Sequence, residues 1–133
     1  MAADEPTTEE PFMNEQQRDY FRGKLLAWKD DILKEAKDTL QFLQEAERNQ
    51  PDAVDRASSE TDRAIELRAR DRQRKLIAKI DAALSRIEDG SYGYCEETGE
   101  PISIKRLEAR PIATFSIEAQ ERHERRERIY RDD

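Results

Sequence analysis

From Lys24 through Asp89 the chain has no glycine, and the one proline in that stretch, Pro51, falls near its middle. Glycine and proline interrupt helices most readily, so this distribution predicts a long helix, a turn and a second long helix. The residue before a proline is driven out of helical geometry, which puts the turn at Asn49-Gln50-Pro51-Asp52. Pro51 and Asp52 then suit the opening positions of the second helix.

Apolar residues mark one face of each arm. On the first, Phe21, Leu25, Trp28, Ile32, Ala36, Leu40 and Leu43 recur at steps of three and four. On the second, Ile65, Ala69, Leu76, Ile80, Ala83 and Ile87 do the same, with Arg72 interrupting. Such narrow stripes have the width of a coiled-coil seam, so the arms are expected to pair with each other, antiparallel. At about 1.5 Å per residue each arm is roughly 50 Å long. Charged residues are 41% of the 133-residue chain and hydrophobic ones 35%, too few for a large compact core.

The pattern changes after Asp89. Gly90, Gly93 and Gly99 break up a segment carrying Tyr92, Tyr94, Ile102, Ile104, Leu107, Ile112 and Phe115, dense enough for a compact knot. Ser116 is placed to cap a last, highly charged helix reaching about Tyr130. The expected fold is mainly α: a long antiparallel coiled-coil hairpin, a small C-terminal globular unit and a C-terminal helix. The expected segments are a flexible acidic N-terminus over 1–12, the hairpin over 13–89 with its tip at 49–57, the globular unit over 90–116 and the last helix over 117–133.

A net charge of -7 argues against nucleic acid as the main partner, because duplex binding rests on neutralising phosphates with Lys and Arg. Asp4, Glu5, Glu9, Glu10 and Glu15, with no base among them, do not make a secretory or transit leader. The longest apolar run, Leu25-Leu26-Ala27-Trp28, is far short of a membrane span. A single cysteine, Cys95, forms no intramolecular disulfide and suits a reducing compartment. The protein is expected to be cytoplasmic.

Three places invite a functional reading, and each has a plainer alternative. Asp52 and Asp55 lie at i, i+3 at the head of the second arm; first-turn carboxylates cap a helix and suit its dipole, yet an acidic pair at the end of a rod can also act inside another molecule's cavity. Ser59 and Asp62 offer a separate capping box, which leaves the tip acids less necessary for capping. Arg68, Arg72, Lys75 and Lys79 form a basic stripe: a solvated flank balanced by Glu66 and Asp71, or a contact for an anion shared with Arg110. Positions 95, 98, 116 and 119 have zinc-ribbon spacing but hold Cys95, Thr98, Ser116 and Ala119, and alanine has no donor. No metal is expected there; Phe115, Ile102, Ile112 and the two tyrosines are the candidates to replace its folding energy, with Cys95 a small buried filler or a redox-sensitive thiol. His123, alone in a run of Glu and Arg, reads as a surface residue, and no nucleophile, base and orienting group can be assembled.

Three separated motifs resemble the DksA/TraR family. Asp52-Ala-Val-Asp55-Arg-Ala57 resembles its D-x-x-D-x-A tip, and the run from Glu66 through Arg70 and Lys75 to Lys79 resembles its second arm. Asp89-Gly-Ser-Tyr-Gly-Tyr-Cys95 and Arg106-Leu-Glu-Ala-Arg110-Pro resemble its zinc-finger region. The resemblance spans about Met13 to Glu121 and implies a non-enzymatic factor that binds RNA polymerase through its secondary channel. With ppGpp such a factor changes initiation in the stringent response, inhibiting ribosomal RNA promoters and activating some biosynthetic ones. It implies tip roles for Asp52, Asp55 and Ala57, and a polymerase-binding role for Arg72. Lys75, Leu76, Lys79 and Arg110 match positions that help form a ppGpp site at the polymerase interface.

Two departures follow from the residues. Three of the four zinc ligands are absent, so zinc dependence does not carry over, as in the cysteine-poor branch. Gln120 stands where many relatives have lysine, which removes a phosphate partner. The protein is further expected to be a monomer without sequence-specific DNA binding. The rival readings are a homodimeric structural coiled coil, which Pro51 disfavours, and a metal-dependent hydrolase, which lacks further ligands.

Overall fold

A computed structural model of the chain describes residues 11–48 and 53–132, and the side chains of residues 46, 47, 53–59 and 130–132 lie outside that description. Four helices account for most of it: α1 (Glu15–Arg48), α2 (Ala53–Asp89), α3 (Ile104–Ala109) and α4 (Ile117–Asp132). Among the described residues there is no strand, only an isolated antiparallel bridge between Tyr94 and Pro101. The mainly helical fold with a long hairpin is as the sequence predicts. The turn expected at 49–52 lies outside the described residues.

The chain divides into two compact units, Met1–Leu25 with Ala82–Asp133, and Leu26–Asp81. Ion pairs give the register of the arms. Arg22 meets Glu88 at 3.2 Å within the first unit, and Lys29 meets Asp81 at 2.8 Å within the second. Each pair joins α1 to α2 inside its own unit.

In the second unit, Ile32 and Ile80 are buried, and Trp28, Ala36, Leu40, Leu43, Ala69 and Leu76 are half-buried along the seam. Full burial of a side chain such as Ile80 contributes about 1.5–3 kcal/mol. One predicted seam residue is misplaced: Ile65 is 57% exposed. Counting back in sevens from Ile80 leads to Gln73 and Glu66, and these polar residues, not Ile65, turn inward. The heptad anchored on buried isoleucines overrides the hydrophobicity of one neighbour.

In the first unit, Phe21, Leu25, Ala83, Ile87, Tyr92, Ile102 and Leu107 make a small buried core. Asn14 caps α1, its Oδ1 accepting from Gln17 N at 2.8 Å, while buried Gln17 returns Oε1 to Met13 N at 2.6 Å. α2 ends at Gly90, whose φ of 86° lets Ser91 N reach back to Arg86 O at 3.0 Å. Gly93 has two reasons to be glycine: its φ is 89°, and a Cβ there would stand 3.1 Å from Phe12 and 3.2 Å from Met13. Phe12, which sequence reading leaves in the N-terminal segment, meets Tyr94 edge-on at 5.4 Å between ring centroids.

Candidate functional site

On α2, Arg68, Arg72, Lys75 and Lys79 are all exposed and Leu76 is half-buried at the seam. Of the two acids expected to balance them, Asp71 meets one member of the stripe, Lys75, together with Arg74, and Glu66 faces Arg70 outside it. Asp71 accepts from Arg74 at 2.6 Å and from Lys75 at 3.0 Å, and hydrogen bonds from Lys75 and then Arg74 hold its carboxyl below the usual range. Glu66 Oε1 stands 3.3 Å from Arg70 Nε. That leaves Arg68, Arg72 and Lys79 without an acidic partner among the described residues. Arg72 and Lys79 are seven residues apart, hence on one face, and an unneutralised cationic face of this kind suits an anion or an acidic protein surface.

Asp52 lies outside the described residues. Asp55 and Ala57 fall in the first turns of α2, but their side chains lie outside the description, so the geometry of the acidic pair does too.

The segment after Gly90 wraps a tight loop around Cys95. Gly99 N donates to Cys95 O at 2.8 Å, Cys95 N to Glu100 O at 2.8 Å, and Glu96 N to Thr114 O at 2.9 Å. Burial of the thiol pushes its pKa up, but donation from Thr98 and from the backbone N–H groups of Ser116, Thr98 and Glu97 outweighs it and lowers the value to about 7. Ser116 Oγ accepts from Ala119 N at 3.2 Å, which starts α4 as expected. Ala119 is fully buried and offers only a methyl group. These four side chains do not fit a tetrahedral zinc site: one has no donor atom, and one hydroxyl is engaged in capping a helix. Of the side chains expected to pack here, Ile102 and Tyr92 are fully buried, Ile112 and Phe115 half-buried, and Tyr94 is 39% exposed. His123 is exposed and stacks on Phe115 at 5.6 Å.

Arg110 is the C-cap of α3 and its side chain is exposed, with no acidic partner among the described residues. Its backbone is held on both sides: its N–H donates to Arg106 O at 2.7 Å, and its carbonyl accepts from Ala113 N at 3.0 Å. Tyr92 OH donates to the carbonyl of buried Pro111 at 2.8 Å. Burial drives the Tyr92 hydroxyl well above its ordinary pKa, keeping it a donor.

Sequence reading missed the support beneath α3. Tyr20 OH donates to Glu108 Oε1 at 2.5 Å, and Lys24 Nζ donates to the same oxygen at 2.6 Å and to Glu108 O at 2.7 Å. Burial opposes ionisation of Glu108, but donation from Lys24 and Tyr20 leaves its pKa lowered. The inward turn of Glu66 was missed as well, although its place two heptads before Ile80 would have found it.

The chain is similar to known proteins over most of its length. The profile for "DnaK suppressor protein DksA, N-terminal domain" matches residues 17–87, and that for "Prokaryotic dksA/traR C4-type zinc finger" matches 90–125. A Caulobacter vibrioides protein named "RNA polymerase-binding transcription factor DksA" is 69% identical over 128 residues, covering 96% of this chain and 90% of its own. One of the same name from Escherichia coli K12 is 44% identical over 131 residues, covering 96% and 87%. The solved structure of transcription factor DksA2 from Pseudomonas aeruginosa superposes with a TM-score of 0.82 at 44% identity, covering 90% of this chain and 95% of that one. Paired helical arms followed by a finger-like unit define a class of helical-hairpin transcription factors. Within it, the chain belongs to the DksA family.

Proposed function

We propose that this chain regulates transcription by binding RNA polymerase, its paired arms entering the secondary channel from the cytoplasmic pool of free factor. The reading rests on kinship with proteins named for polymerase binding, and the observation that carries it is the unneutralised face of Arg72 and Lys79 beside the seam. A cationic face without internal partners costs little desolvation of existing ion pairs on docking, so its attraction for an acidic surface is retained. The chain is not an enzyme and makes no bond; it acts through differential affinity for states of the polymerase.

Asp52 and Asp55, with Ala57 beside them, are the residues assigned to the neighbourhood of the polymerase catalytic centre. About 1.4 kcal/mol of differential binding there would shift an open-complex equilibrium about tenfold. Arg72 is assigned to the polymerase surface. Lys75, Leu76 and Lys79 in one unit and Arg110 in the other are assigned, each by itself, to ppGpp recognition at the polymerase interface. Lys75 enters with Asp71 already on its ammonium, so Lys79 carries more of that task. The reading includes a factor that works without zinc, as a monomer, inhibiting ribosomal RNA promoters and activating some biosynthetic ones in the stringent response.

The test is run-off transcription from a ribosomal promoter with Asp52→Asn and Asp55→Asn chains that still bind polymerase. Inhibition should fall by up to about tenfold, in line with the free-energy shift above. Inhibition equal to the unaltered chain would remove the tip from the mechanism.

A further inference from the structure

We propose that Glu108 is a positioning residue for Arg110: held by Tyr20 and Lys24 of α1, it fixes the C-terminal end of α3 and so the backbone position from which the Arg110 side chain reaches a phosphorylated anion. This rests on the anion-binding role assigned to Arg110 above.

A helix of six residues is too short to hold itself, so α3 needs outside support. Glu108 supplies it twice. Its Oε1 takes hydrogen bonds from Tyr20 OH and Lys24 Nζ, and its backbone carbonyl, in the last turn of α3, takes another from Lys24 Nζ at 2.7 Å. A cation at that end also meets the negative pole of the helix. Both donors project from α1, a 34-residue helix, so the attachment is to a stiff element.

Arg110 follows two residues later. Its N–H is bound to Arg106 O and its carbonyl to Ala113 N, while Arg106 Nε donates to Phe115 O at 2.9 Å. The backbone that carries Arg110 is therefore tied to α1 through Glu108 and to the segment before α4 through Arg106. The guanidinium itself remains exposed and without an acidic partner among the described residues. Arginine binds phosphate through a planar fork of donors, so its affinity depends on the direction of approach more than that of a lysine does. A support that fixes the backbone carrying this fork lowers part of the ordering cost of binding.

The proposal separates from a merely stabilising role by coupling. In ppGpp titrations of the polymerase complex, Tyr20→Phe or Lys24→Met should raise the half-maximal ppGpp concentration about threefold to tenfold. In a chain already carrying Arg110→Ala the same substitutions should change it by less than about 1.5-fold. Equal changes in both backgrounds would overturn the proposal. A second measurement needs no ppGpp: in the free full-length chain, 15N relaxation at the Arg110 backbone should drop from a rigid order parameter near 0.85 toward 0.6 in Tyr20→Phe and Lys24→Met, with Ile80 unchanged. An Arg110 as rigid in the variants as in the parent would likewise overturn it. If Arg110→Ala alone left the ppGpp response intact, the anion role assigned to Arg110 would fail and the use of the clamp with it. Relaxation would still decide whether Glu108 holds α3.

Discussion

Glu66 Oε1 and Arg70 Nε stand 3.3 Å apart, one turn apart on α2, in a seam that also holds Leu40, Leu43, Ala69, Gln73 and Leu76. The Glu66 side chain is 10% exposed, and its Oε1 is buried without a hydrogen bond; the contact to Arg70 is an ion pair in distance only. A charged group at a core position weakens helix pairing while fixing its register. Arg70, at 40% exposed, keeps much of its hydration whichever partner it has.

Glu66→Leu should therefore stabilise the chain, by about 1 kcal/mol, and Arg70→Ala should destabilise it by about 1 kcal/mol because it leaves the acid buried alone. Urea denaturation midpoints measure both. The opposite order of the two variants would mean that Glu66 does not lie in the seam.

That pair also marks the limit of what the sequence discloses. The arms are legible because a glycine-free run with one central proline leaves few alternatives, and Phe21, Leu25 and Ile32 repeat at helical steps. Ile65 is misread because a hydrophobicity stripe counts residue types, whereas the seam counts sevens from Ile80. The cap at Asn14 has a readable signal, since Gln17 follows three residues later. The clamp on α3 has none: Tyr20 and Lys24 are 88 and 84 positions from Glu108, and nothing local in either segment announces the other. The degenerate finger is legible as a spacing without ligands, but not the donors that gather around Cys95.

Those donors give the Cys95 thiol a folded-state value of about 7 against an ordinary 9.0. A group whose folded value is depressed stabilises the fold where it is ionised folded and protonated unfolded. Below pH 7 the thiol is protonated in both states and contributes nothing; between pH 7 and 9 the contribution grows. Tm of the parent chain should thus rise from pH 7 to 9 relative to Cys95→Ser, and parallel curves would contradict this.

Purification in the presence of zinc followed by elemental analysis should give far less than one zinc per chain. Ala119 lacks a donor, and Ser116 Oγ already accepts from Ala119 N. Chelator treatment should leave the Tm unchanged. Stoichiometric zinc, or a Tm lowered by chelator, would overturn the account of this finger.

Lys79→Ala should reduce the ppGpp-dependent part of promoter inhibition several-fold while lowering polymerase affinity by less, and Lys75→Ala should do so less strongly because Asp71 already neutralises Lys75. Titrations with and without ppGpp separate the two quantities. Equal effects of the two substitutions would show that the Asp71 pairing has no bearing on recognition.

The central claim is docking in the secondary channel of RNA polymerase, and binding of the purified chain to core enzyme in competition with another secondary-channel factor tests it most directly. The account predicts a one-to-one complex from which each factor displaces the other. Failure to bind, or a ternary complex holding both factors at once, would contradict it.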